Sequence, residues 1–109
     1  MTDDARRTKL APHVHALEAE LRRLGWWQSQ PPTPEQLAFQ RPFAMDTMAF
    51  SQWLQFVFLP IARDMLAGTR TLPPSSSLAP HAVRELDGVD DARELEAILR
   101  RIDDAVNGG

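Results

Sequence analysis

The chain has 109 residues, 15 acidic and 12 basic side chains, a formal charge of −3 and no cysteine. That length suits one domain over 1–109 with room for a hydrophobic core, and the missing thiols exclude disulfides, thiolate catalysis and thiolate metal sites. The acidic balance argues against a dedicated nucleic-acid binder, the longest apolar run, Phe56–Ala62, is too short to span a bilayer, and an N-terminus lacking the order of a secretory signal leads us to expect a cytoplasmic protein.

The first predicted helix carries Leu10, Val14, Leu17, Leu21 and Leu24 at alternating spacings of four and three, which puts them on one narrow stripe. Asp3 and Asp4 near its start and Arg22 and Arg23 near its end suit the helix dipole, Glu18 and Arg22 form an i,i+4 pair, and Gly25 is the stop. Pro12 leaves two options, a regular helix that begins near it or an earlier one that kinks there.

Residues 26–47 hold Pro31, Pro32, Pro34 and Pro42 and cannot form a continuous helix, although Thr33-Pro34-Glu35-Gln36 is a capping signal for a single turn. Trp26, Trp27, Leu37, Phe39, Phe43 and Met45 are costly to leave in water, at roughly 1.5–3 kcal/mol for each large apolar side chain. The segment is therefore expected as an ordered arm pressed on the domain.

The central helix is predicted over 48–67, entered through Asp46 or Thr47 and closed by Gly68. Phe50, Trp53, Leu54, Val57, Phe58, Ile61 and Met65 share one face of a regular helical wheel; Phe56, Leu59 and Leu66 fall on the other, beside Ser51, Gln52, Gln55 and Arg63. Pro60 should bend it and leave the Phe56 carbonyl without its usual partner. After a turn at Leu72–Ser77, a short third helix with Pro80 in its first turn buries Leu78, Ala82, Val83 and Leu86, and ends at Asp87-Gly88. The fourth, about 90–106, aligns Ala92, Leu95, Ile98, Leu99, Ile102 and Val106. No segment alternates with period two, so the fold class expected is all-α, a single-domain four-helix bundle around the proline-bent second helix.

Candidate chemistry is sparse. His13 and His15 diverge by about 160° on a helix and cannot share an ion, and His81 stands apart from them, so all three are read as surface or boundary residues and no metal site is expected. Asp46 and Asp64 lie roughly 27 Å apart along one helix at its standard rise, too far for joint acid–base work; a helix cap and a helix-end charge are the readings. The run Ser75-Ser76-Ser77 lacks the strand-turn-helix setting of a nucleophile elbow. Arg6, Arg7, Lys9, Arg22 and Arg23 could touch phosphate, but the acids among them make a solvated helix face the simpler reading. The side chains suited to a partner are Trp26, Trp27, Phe56 and Leu59; the face bearing Phe56 and Leu59 is covered either by the arm and third helix or by a partner.

Across Trp26, Pro42-Phe43, Met45-Asp46-Thr47-Met48, Trp53-Leu54-Gln55-Phe56-Val57-Phe58-Leu59-Pro60, Leu72-Pro73 and Ala79-Pro80 the chain resembles the YqcC-like family of small bacterial proteins. The match is dense from 42 to 60, with Ile61 standing where relatives often carry a basic residue. The resemblance implies a compact helical fold and no assigned activity; Phe43, Asp46, Trp53, Val57 and Pro60 are expected at the structural centre. Some relatives bear the name tRNA pseudouridine synthase C, a reaction that needs a carboxylate nucleophile in a sizeable RNA-holding scaffold. The functional expectation is thus a non-enzymatic interaction or accessory module without a cofactor, monomeric or weakly dimeric, holding a protein partner; the alternative is an RNA-associated helper of tRNA modification.

Overall fold

Thr2 starts the first helix: its hydroxyl accepts the Ala5 N–H at 3.1 Å, and α1 runs Asp3–Arg23 with Pro12 inside it. Pro12 therefore neither starts nor ends the helix. The computed structural model describes residues 2–108, and every regular element in them is helical. A one-turn α2 (Pro34–Leu37) and a 3₁₀ turn (Pro42–Ala44) lie in the arm, followed by α3 (Phe50–Trp53), α4 (Leu59–Ala67), α5 (Leu78–Glu85) and α6 (Arg93–Asn107). The capping box of α2 forms as its sequence demands, Thr33 accepting from the Gln36 amide while the Gln36 side chain accepts from the Thr33 amide.

The central rod differs from the regular helix expected. Residues Leu54–Phe58 between α3 and α4 form a π segment, with the Leu59 N–H reaching back five residues to the Leu54 carbonyl. This one-residue insertion ends two residues before Pro60, whose ring would press on the carbonyl four residues back in a continuous α-helix. It also turns the residues that follow by about 100°. The buried positions accordingly step Phe50, Leu54, Leu59, Ala62, Met65, with a spacing of five across the insertion. Leu59 becomes fully buried, while Trp53, Val57, Phe58 and Ile61 move to the flanks at partial exposure.

Entry into the rod is corrected as well. Ala49 is the cap residue of α3 and its N–H is taken by the Gln52 side chain at 2.8 Å. Asp46 instead closes the arm, accepting the amides of Gln40 at 3.2 Å and Arg41 at 3.4 Å. Thr47 adds a bond to the Gln36 carbonyl at 2.7 Å.

α1 packs along α6 and crosses α4; α5 lies against α6. Leu10, Val14, Leu17 and Leu21 from α1 meet Leu95, Ile98, Leu99 and Ile102 from α6 in the core, as the two stripes predicted. The arm is pressed on the domain only at its ends: Trp26, Trp27 and Phe43 pack against the core, whereas Leu37 and Met45 stand 49% and 48% exposed. Gln55 ties the arm's start to the π segment by accepting the Gln28 N–H at 2.9 Å and donating to its carbonyl at 2.8 Å.

One buried carboxylate organises the other end. Asp103 on α6 accepts the Leu78 and Ala79 amides, both at 2.8 Å, and the Ser76 hydroxyl at 2.6 Å. It thereby caps α5 from another helix and fixes the preceding turn, with Asn107 holding both the N–H and the carbonyl of Ser76. Asp103→Ala strands these donors, and a loss of about 2–4 kcal/mol is expected in urea unfolding, against a change within about 0.5 kcal/mol for the exposed Asp87→Ala.

Candidate functional site

A row of stacked rings crosses the molecule. Phe43 lies flat on His81 at 3.9 Å between ring centres and meets the edge of Trp53 at 5.0 Å. Phe50 stacks on Trp53 at 6.1 Å and contacts His81 edge-on at 5.1 Å, and Phe58 continues the row from Trp53 at 5.8 Å. Phe43 and Ala44 both take left-handed backbone angles, φ 59° and 53°, a conformation that costs a non-glycine residue about 1–3 kcal/mol. The stack and the burial of Ala44 hold them there.

His81 thus occupies an interior place, 5% exposed, rather than the surface or boundary expected of it, and Val83, expected in the core, stands 45% exposed. The reason is the Phe43 ring, which draws the His81 edge of α5 inward and turns Val83 out. The imidazole Nε2 makes no hydrogen bond among the described residues; the nearest Glu85 oxygen is 3.7 Å away. Burial lowers the His81 pKa from its ordinary value, opposed by the Glu85 carboxylate and reinforced by Arg84.

The row ends at a cleft of about 410 Å³ between the α3–π–α4 rod and the 70–77 loop with the start of α5. Trp53, Phe58, Ile61, Met65 and Leu78 form its apolar wall, and Arg70 and the serines 75–77 stand on the loop side. The Ser76 hydroxyl is committed to Asp103, and among the described residues no histidine bonds it as a base. Nor do three or more His, Asp or Glu side chains come together as metal ligands among those residues.

Leu59, a candidate for partner contact in the sequence, offers no surface, and Phe56 is half-buried. Trp26 and Trp27 are also half-buried, packed on the core, with the Arg22 guanidinium 4.4 Å above the Trp27 ring. Val57 lies on a flank of the rod and Pro60 is exposed. The Asp46 carboxyl is held below the usual carboxylate range, first by the Gln40 amide and against a desolvation cost. The basic cluster of α1 is engaged within the chain. Arg6 bonds the Val106 and Pro73 carbonyls, Arg7 the Met65 carbonyl, Arg22 the Glu18 carboxylate and Arg23 the buried Glu20 carboxylate. Arg70, His81 and Asp103 carried a legible signal only in part: Asp103 falls four residues after Leu99, inside the apolar stripe of α6, where an acid calls for a buried partner.

Residues 9–105 match the model of the DUF446 family, described as tRNA pseudouridine synthase C. The chain belongs to this YqcC-like family. YqcC of Escherichia coli K12 is 40% identical over 68 residues, 62% of each chain. A Haemophilus influenzae protein named only as uncharacterised is 27% identical over 101 residues, 93% of this chain and 95% of its own. The solution NMR structure of E. coli YqcC matches with a TM-score of 0.80 at 32% identity, over 94% of this chain and 89% of that one. A tRNA pseudouridine synthase C of Pectobacterium carotovorum subsp. carotovorum is 35% identical over 71 residues, which is 65% of this chain but 19% of that much longer one. No helix among the described residues of this family member is long and apolar enough to cross a membrane.

The depressed His81 pKa sets a pH dependence. The unfolded state takes up a proton near the ordinary value of 6.5 while the folded state resists it, so the histidine's contribution is fully present above that value. It is lost as pH falls from there toward the lower folded-state pKa. Urea unfolding between pH 8 and 5 should show stability falling below pH 6.5, and the His81→Phe variant should lose that part of the slope.

Proposed function

We propose that this YqcC-like domain is a non-enzymatic protein-interaction module of the cytoplasm, a four-helix scaffold if the α3–π–α4 rod is counted as one proline-bent helix. The observation that carries it is the arm. Two of its large apolar side chains, Leu37 and Met45, are about half exposed, yet the segment bearing them is closed on itself by Asp46, Thr47 and the Thr33–Gln36 box. A loop already ordered before binding loses little further freedom when a partner covers it, and single apolar anchors on such a loop can carry much of the binding energy. Trp26 and Trp27 at the arm's base, with Phe56, would form the partly exposed margin of that surface.

The Pectobacterium relative favours a second reading, service to tRNA modification. A segment similar to this chain makes up about a fifth of a protein named tRNA pseudouridine synthase C, and a module covalently joined to an enzyme in one protein can meet it as a separate chain in another. The synthase reaction itself lies outside this reading, because among the described residues the buried carboxylates are engaged, Asp103 as a cap and Glu20 with Arg23. RNA contact through α1 is disfavoured by the internal bonds of Arg6, Arg7, Arg22 and Arg23.

Both readings are separable by titrating the chain against a stand-alone tRNA pseudouridine synthase C and against tRNA at low salt, where phosphate contacts are strongest. Binding to the protein alone is expected. Leu37→Asp and Met45→Asp should each abolish it while leaving folding stability within about 0.5 kcal/mol of wild type. Salt-sensitive tRNA binding lost with Arg22 and Arg23 would favour direct RNA association instead, and silence toward both would remove the basis of the second reading.

A further inference from the structure

We propose that the cleft beside Trp53 is a binding site for a small amphipathic monocarboxylate, its apolar body seated on Trp53, Phe58 and Ile61 and its carboxylate on Arg70. This goes beyond the partner surface of the arm, which uses other residues. Four features point to it. The volume of about 410 Å³ lies within the roughly 300–1,000 Å³ usual for small-molecule clefts. The wall is apolar and incompletely covered, since Trp53, Phe58 and Ile61 are each only partly buried, and leaving such side chains to water is unfavourable.

The loop that could have collapsed onto this wall is instead held in place from outside the cleft. Arg6 grips the Pro73 carbonyl, Asp103 takes the Ser76 hydroxyl and the first amides of α5, and Asn107 brackets Ser76. Leu72 is buried, and Thr69 is bonded through its amide and hydroxyl to the Asp64 carbonyl. Arg70 and the serines therefore stand on an ordered rim, and the cleft exists before any ligand arrives.

Charge supplies the chemistry. Among the described residues Arg70 is the one ionisable side chain lining the cleft, no acid lines it, and the guanidinium makes no hydrogen bond or ion pair. A guanidinium on the same rim as the Ser75 and Ser77 hydroxyls matches a carboxylate. The absence of a second lining cation suits a single negative charge rather than a phosphate dianion.

The test is an NMR titration of the 109-residue chain with octanoate, 1-octanol and octylamine, following the Trp53 indole and the amides of residues 58, 61 and 70. Octanoate should shift these signals saturably, and octylamine should not at the same concentration. Arg70→Gln should weaken octanoate by about tenfold or more, as the loss of a charged hydrogen bond requires. Arg70→Lys should retain part of the binding, and Arg84→Gln, altering an exposed arginine on α5, should leave it unchanged. The proposal is overturned if octanoate leaves Trp53 unmoved, if octanol binds as tightly as octanoate, or if Arg70→Gln binds like wild type.

Discussion

The rest of the molecule depends on the extra residue in the central rod. Pro60 cannot donate to the helix ladder and its ring crowds the preceding turn; the widened turn over Leu54–Phe58 accommodates both demands without ending the helix. The resulting rotation decides which side chains fill the core. Leu59, Ala62 and Met65 line up with Phe50 and Leu54 only because of it, and together they meet α1 and α6. The same rotation sends Phe58 and Ile61 to the flank where Trp53 borders the cleft. Core and candidate ligand site are consequences of one local change in backbone geometry.

The close of the arm and the loop leading into α5 are then fixed by different physics. At the arm side, rings do it: Phe43 is held in a left-handed conformation by its contacts with His81 and Trp53, and His81 remains inside without a hydrogen bond for Nε2. Stacking area is exchanged there for backbone strain and a desolvated imidazole. At the cleft side, charge does it: Asp103 meets several donors of one turn at once, an arrangement in which a buried carboxylate is well satisfied. The strained end is the one sensitive to protonation, and the satisfied end is the one that shapes the rim.

Much of this was readable in the sequence, with a consistent boundary. The stripes of α1 and α6 are regular and were predicted residue by residue, because uninterrupted 3.6-residue periodicity leaves no ambiguity. The α2 capping box was equally plain, being a local pattern. What failed was the wheel of the central rod, since it assumes a constant turn, and Leu59 was assigned to the wrong side by one residue's rotation. The apolar spacing itself held the clue, as Leu54 and Leu59 are five apart. His81 and Asp103 were missed for another reason. Their burial is decided by partners distant in the chain, Phe43 in one case and Ser76 to Ala79 in the other, and only Asp103, set inside the apolar stripe of α6, leaves a local sign of it.

The arginines of α1 bear on any link to RNA. Arg6 and Arg7 donate to the Val106 and Met65 carbonyls, which lie in the last turns of α6 and α4. Those turns carry unpaired carbonyls and the negative end of the helix dipole, so the two guanidiniums act as C-terminal caps supplied by a third helix. Arg22 and Arg23 are likewise matched to Glu18 and Glu20. A phosphate seeking this surface would have to displace partners that help hold three helices together, at a cost in stability as well as in ion pairing. Any service to tRNA modification is therefore better sought in protein contact through the arm than in direct attraction to the nucleic-acid backbone.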